Sequence, residues 1–125
     1  MAPMEKEKVV ILGASDHPGR YSHMALVLLL EKGHIPLPVN PRLESIEGIK
    51  CFPHIKEIDD KVDTLTIYVN PKISDSLANE ILNLGMKRVI FNPGSENESL
   101  YEPLKKRGVE VIEACTLVML RTDQY

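Results

Sequence analysis

The chain has 125 residues, 43% of them apolar and 26% charged, which fits one globular domain over residues 1–125 and not a disordered chain. Fifteen basic against eighteen acidic side chains leave a net charge of −3, which excludes the bulk positive field of a nucleic-acid coat. Two cysteines, Cys51 and Cys115, are too few for a disulfide scaffold and lack the Cys-x-x-Cys spacing of a zinc site. The start, Met1 to Lys8, is mixed in charge and has no apolar stretch of the kind a signal peptide carries. The longest apolar run, residues 24–30, is far shorter than the ~20 residues that span a bilayer. The expectation is a cytoplasmic chain with no membrane partner.

Residues 8–12, Lys-Val-Val-Ile-Leu, are continuously apolar after the lysine and predict a strand covered on both faces. A loop rich in turn formers, 13–19, leads to a helix over 21–32, with Gly33 as its stop. A second strand is predicted at 35–39, where Pro36 and Pro38 suit an edge better than a sheet centre. Residues 42–61 read as irregular, with a short apolar piece at 49–52 and a small helix at 54–58. The clearest strand is 64–69, followed by a helix over 74–84 that puts Leu77, Ile81 and Leu84 on one stripe. A strand at 88–91, a helix at 97–106, a strand at 109–112 and a short helix at 116–120 complete the chain.

Strand and helix alternate strictly, which predicts an α/β fold: a Rossmann-like, doubly wound, mostly parallel sheet of about five strands with helices on both faces. Ligands of such sheets sit outside the carboxyl ends of the strands. Three strands leave the sheet through an Asn-Pro pair, Asn40-Pro41, Asn70-Pro71 and Asn92-Pro93. These exits fall on the expected functional rim, although Asn-Pro also serves simply to stop a strand.

The loop Gly13-Ala14-Ser15 and the helix start Arg20-Tyr21-Ser22 offer backbone N–H groups, a hydroxyl and a guanidinium where the fold places a phosphate or pyrophosphate. The spacing is not G-x-G-x-x-G. At the end of the second strand an NAD site carries Asp or Glu, whereas this chain has Asn40, Pro41 and Arg42. The arginine suits a phosphorylated ribose, which leaves both NADP and coenzyme A open.

Gly13-Ala14-Ser15, Arg20-Tyr21-Ser22, Pro38-Val39-Asn40-Pro41, Gly48, Asn92-Pro93-Gly94, Glu96-Asn97 and the Cys115 ending together resemble the small stand-alone CoA-binding proteins. That family is similar to the N-terminal CoA-binding domain of the succinyl-CoA synthetase alpha subunit. The resemblance implies that Gly13, Ser15 and Arg20, with Ala14, Tyr21 and Ser22 in the same motifs, hold the CoA pyrophosphate. It implies that Asn40, Pro41 and Arg42 border the adenosine and its 3′-phosphate. Val69, Asn70 and Pro71 would lie against the adenine or the start of the pantetheine arm, and Pro93 and Gly94 would line its channel. Relatives often carry Arg-Pro-Pro where this chain has Asn70-Pro71-Lys72, and the resemblance then implies Lys72 as the expected replacement for that positive charge.

No catalytic constellation is identified. The four histidines, His17, His23, His34 and His54, have no metal-ligand spacing, although His17 and His23 flank the phosphate loop. Cys115 follows the last strand, where a mixed disulfide with the CoA thiol is conceivable and a small buried hydrophobe is the plainer account. Lys105-Lys106-Arg107 complements the negative end of a helix. The leading expectation is a module that binds coenzyme A or an acyl-CoA without catalysis of its own. The alternatives are an NADP-binding oxidoreductase domain and a CoA-linked sensor acting through a protein partner; a homodimer stays open.

Overall fold

A computed structural model describes residues 6–125. Five parallel strands form the central sheet: β1 (Lys8–Leu12), β2 (Ile35–Val39), β5 (Thr64–Ile67), β6 (Arg88–Phe91) and β7 (Glu110–Glu113), in the spatial order β2-β1-β5-β6-β7. Between β2 and β5 lies a small antiparallel hairpin, β3 (Ser45–Ile46) and β4 (Ile49–Lys50), followed by a 3-10 turn at Ile55–Glu57. The helices are α1 (Tyr21–Glu31), α2 (Pro71–Ser76), α3 (Ala78–Leu82), α4 (Glu98–Lys106) and α5 (Thr116–Arg121). The α/β, Rossmann-like reading of the sequence is therefore the observed one.

Side chains alternate across each strand, so the sheet divides the core into two layers. Val10, Leu12, Leu65, Ile67, Val89 and Phe91 pack with Ile55, Ile81, Leu100 and Leu104 on one face. Val9 and Ile11 pack with Leu26, Leu29 and Leu120 of α1 and α5 on the other. Burial on both faces is why β1 reads as an unbroken apolar run. On the α5 side, Thr66 takes a core position because the Thr116 hydroxyl meets its own at 2.8 Å.

Pro36 and Pro38 are accommodated because β2 is an edge strand. Ile35 donates inward to the Glu7 carbonyl, so the intervening prolines turn their missing N–H groups away from β1. The outward carbonyl of Pro38 accepts from the Phe52 N–H at 2.8 Å. α1 ends as the sequence predicts. Gly33 has φ +88°, the His34 N–H donates to the Leu29 carbonyl, and the Gly33 N–H donates to that of Leu30, a Schellman closure.

Three segments differ from the sequence reading. The strand predicted over 64–69 stops at Ile67. The helix predicted over 74–84 begins earlier, at Pro71, and breaks at Leu77 into α2 and α3. Its start was hidden in Asn70-Pro71: Asn70 is an N-cap whose Oδ1 accepts from the Ile73 N–H at 3.0 Å, and Pro71 occupies the first helical position. The stretch 42–61 contains the hairpin, turned by Glu47 and Gly48 at φ 52° and 75°, the two positive values of a type I′ turn.

Candidate functional site

The chain leaves β1 for the edge strand β2 and returns to the other side of β1 as β5. Strand order therefore reverses between β1 and β5, and the crevice outside their carboxyl ends is the expected ligand position. Gly13 stands there. Its φ is +88°, and a Cβ built on it would lie 2.9 Å from Cγ1 of Val69 and 3.4 Å from the backbone carbon of Tyr68. The turn after β1 is thus seated directly on the segment after β5, an approach only glycine permits.

Two cavities of about 510 Å³ each meet at this glycine. Both fall within the usual volume range of small-molecule sites. The first is mainly apolar, with Leu12, Val39, Ile55, Val69, Ile73 and Leu77 in its walls, and with Asn40, Pro41, Arg42 and His54 also lining it. The second is polar and is lined by Ser15, His17, Gly19, Arg20, Tyr21, Ser22, Tyr68 and Pro93. No carboxylate is among the residues lining the second cavity, whereas a guanidinium, hydroxyls and the start of α1 are, so its electrostatics favour an anion.

The hydrogen bonds refine which groups are available. The N–H groups of Gly13 and Ala14 both donate to the Val39 carbonyl, at 3.3 and 3.2 Å, and so build the turn rather than facing outward. The Ser15 hydroxyl accepts from the His17 N–H at 3.1 Å, which leaves its proton to donate elsewhere. At the first positions of α1, the N–H groups of Tyr21 and Ser22 have no carbonyl within the helix to bond. The Arg20 side chain makes no capping bond and is exposed.

Asn40 ties the two loops together. Its Nδ2 donates to the Ala14 carbonyl at 2.8 Å, its Oδ1 accepts from the Arg42 N–H at 2.8 Å, and its own N–H donates to the Phe52 carbonyl. Asn92 is buried; its Nδ2 donates to the Thr66 hydroxyl at 2.7 Å and the Ile67 carbonyl at 2.9 Å, while its Oδ1 accepts from the Thr116 N–H at 2.8 Å. The three Asn-Pro exits are thus structural joints at the rim. Tyr68 is held between β5 and α5, and burial pushes its phenol up to about 12. Its hydroxyl is shielded from solvent and lies beside the hydroxyls of Thr66 and Thr116.

Of the residues expected from sequence, Gly13, Ser15, Arg20, Tyr21, Ser22 and Pro93 converge on the polar cavity, and Gly13, Asn40, Pro41, Arg42 and Val69 on the apolar one. Ala14 is buried beneath the loop. Asn70, Pro71, Lys72 and Gly94 line neither cavity; the next turn of chain, Ile73, Ser76 and Leu77, takes that wall instead. Cys115 is half-buried at the N-cap of α5 and also lines neither. Sequence reasoning missed Tyr68, Ile73, Leu77 and Glu80. Ile73, Leu77 and Glu80 do follow a four-then-three spacing, the signal of a shared helical face. Among the described residues, no group of three His, Cys, Asp or Glu side chains is gathered for a metal, and no helix is long and apolar enough to cross a membrane.

Comparison with known proteins gives the family and supports the fold. Residues 7–121 match the family described as CoA binding domain, and the chain belongs to that family. It is 30% identical over 106 residues to the uncharacterized protein YneT of Bacillus subtilis, covering 85% of this chain and 78% of that one. It is 30% identical over 129 residues to acetate–CoA ligase (ADP-forming) II of Archaeoglobus fulgidus, covering 94% of this chain but only 19% of the ligase. Among solved structures, an uncharacterized protein superposes with a TM-score of 0.90 at 39% identity, covering 98% of this chain and all of the other.

Proposed function

We propose that this chain binds coenzyme A, free or acylated, across the crevice between β1 and β5. The observation that carries the reading is the meeting of an apolar and a polar cavity at Gly13. A CoA molecule has the same order of parts: a flat base, a phosphorylated ribose, a diphosphate and an extended amide arm. The base fits the apolar cavity between Ile55, Val69 and Leu77. The diphosphate crosses Gly13 and meets the Ser15 hydroxyl, the Arg20 guanidinium and the free N–H groups that open α1. Arg42, at the apolar cavity's rim, takes the ribose 3′-phosphate. The pantetheine arm continues past Tyr68 and Pro93.

The lining supplies binding and orientation; none of its groups is arranged as a nucleophile with a base. Kinship with one segment of an ADP-forming ligase supports a module whose ligand is used elsewhere, on a partner protein or a further domain. Calorimetry of the chain against CoA, dephospho-CoA and NADP tests the reading. CoA is expected to bind tightest, and dephospho-CoA weaker by about 1.5–3 kcal/mol, the range for a hydrogen bond to a charged group. At CoA concentrations of about 100 Kd, bound ligand adds about 2.7 kcal/mol of stability. No heat and no thermal shift with CoA, or tighter binding of NADP, overturns the proposal.

A further inference from the structure

Among the described residues, Glu47 and Asp123 have positive φ without being glycine, at 52° and 57°. Aspartate can bond locally and tolerates this left-handed region. Glutamate has no such local bond, and the first corner of a type I′ turn ordinarily takes Asn, Asp or Gly. A distant partner holds Glu47 instead. Its Oε1 lies 2.8 Å from Nε2 of His23, 24 residues away on α1. An ionised carboxylate only accepts, so the imidazole N–H donates. The His23 side chain is only 7% exposed, so the bond satisfies a nearly buried ring nitrogen, whereas the Glu47 side chain is half exposed.

Neither partner lines the two cavities at Gly13, but the hairpin that carries Glu47 joins their walls. His23 lies in the first turn of α1, directly after Tyr21 and Ser22. Its N–H donates to the Arg20 carbonyl at 3.1 Å, as does that of Met24. Holding the ring therefore holds the backbone from which Arg20, Tyr21 and Ser22 meet the polar cavity. The base of the hairpin is tied to the other wall. The Cys51 N–H donates to the Glu44 carbonyl at 2.9 Å, and the Phe52 carbonyl accepts from the Asn40 N–H at 2.9 Å. Ile46, one residue before the corner, is buried in the same apolar cluster as Ala14, Leu26 and Leu29. The hairpin thus runs from the loop of Asn40 and Arg42 to the start of α1.

We propose that the Glu47–His23 bond is a brace that fixes the start of α1 relative to the loop of Asn40 and Arg42, which makes Glu47 a positioning residue for a ligand spanning both cavities. This assignment rests on the CoA reading above and deepens it. A ligand with phosphates at two separated points binds best where the two ends of the site are already spaced, because less of the binding energy goes into ordering the protein. The strained backbone of Glu47 persists because the bond to His23 and the seat of Ile46 over-determine it.

The test is calorimetric titration of CoA into the full chain and its variants, each first shown to be folded by circular dichroism. Glu47→Ala and His23→Phe are each expected to lower affinity about three- to tenfold, and the double variant no further, since both remove one interaction. Glu47→Gln keeps an acceptor for the imidazole N–H and is expected to recover the wild-type affinity within about twofold. A purely structural defect would lower the urea midpoint and leave the affinity of the folded chain unchanged. Wild-type affinity in Glu47→Ala, losses that add in the double variant, or Glu47→Gln as weak as Glu47→Ala overturns the brace and leaves the CoA reading standing. Where His23→Phe does not fold, the comparison of Glu47→Ala with Glu47→Gln decides by the same outcomes. No binding of CoA to the wild-type chain overturns both.

Discussion

Replacing Gly13 with alanine tests the junction on which the site depends, and Gly33 provides an internal control. Both glycines have φ +88°. A methyl group on Gly33 meets nothing within 4 Å, whereas on Gly13 it meets Val69 Cγ1 at 2.9 Å and the backbone of Tyr68 at 3.4 Å. The conformational penalty is common to the two and is about 1–2 kcal/mol for an L-residue in this region. Only Gly13→Ala adds an overpacking cost of about 1–3 kcal/mol. Val69 is β-branched and stiff at χ1, and the Tyr68 backbone is anchored by its N–H to the Leu12 carbonyl, so neither yields freely. Gly13→Ala is therefore expected to cost about 2–5 kcal/mol in total and Gly33→Ala about 1–2 kcal/mol. In urea, with m near 1–3 kcal/mol/M, the difference between the variants is a midpoint shift on the order of 1 M at unchanged m. CoA affinity should fall in Gly13→Ala and stay at the wild-type value in Gly33→Ala. Equal midpoint losses in the two variants would refute the close approach of the β1 and β5 exits.

Other perturbations address the rest of the site and its support. Arg20→Ala removes an exposed side chain, so stability should change by less than about 0.5 kcal/mol, while CoA affinity measured by calorimetry should fall about tenfold or more. Asn92→Ala removes three buried hydrogen bonds and should cost about 3 kcal/mol in urea unfolding, against an exposed Asn79→Ala that costs little. Acid should weaken the fold in two ranges. Burial lowers the pKa of His34, whose Nδ1 already accepts the Glu7 N–H. The unfolded chain therefore takes up a proton that the native state refuses, and stability is lost as pH falls below about 6.5. Asp63 is held low chiefly by the Lys8 N–H, with Lys87 assisting, so its contribution is present above about pH 4 and lost as pH falls further. Urea midpoints across pH should flatten below about pH 6.5 in His34→Gln and below about pH 4 in Asp63→Asn; unchanged profiles contradict these assignments.

Most of the architecture was legible because it is written in local chemistry. The apolar run of β1, the Schellman glycine of α1 and the proline-bearing edge strand β2 each announce their environment through one physical rule. The gathering of Ser15, Arg20, Tyr21 and Ser22 at one cavity was legible too, since the first crossover of such a sheet has a fixed place. Other features depended on packing at a distance. The commitment of the Gly13 and Ala14 amides to the Val39 carbonyl comes from a neighbouring strand. The expected stripe of Leu77, Ile81 and Leu84 does pack against the core, but the break at Leu77 also leaves that residue lining the apolar cavity, which its spacing did not show. Asn70 was read as a strand stop because its pairing with Pro71 serves equally as a helix start. Asn40, expected against a ribose, spends its side chain on the Ala14 carbonyl and the Arg42 N–H, a role no spacing rule encodes.

The paired prolines of β2 have a consequence for how copies of this protein behave when crowded. An open sheet edge is a template on which a neighbouring molecule can add a strand, the first step toward aggregates. Here two successive outward positions lack the hydrogen that such an intruder would need, and Phe52 already occupies the carbonyl between Pro38 and Val39. The opposite border, β7, begins and ends in Glu110 and Glu113, whose like charges repel a second copy laid alongside. Both margins of the sheet thus carry features that oppose the addition of a further strand, independently of the crevice at its centre.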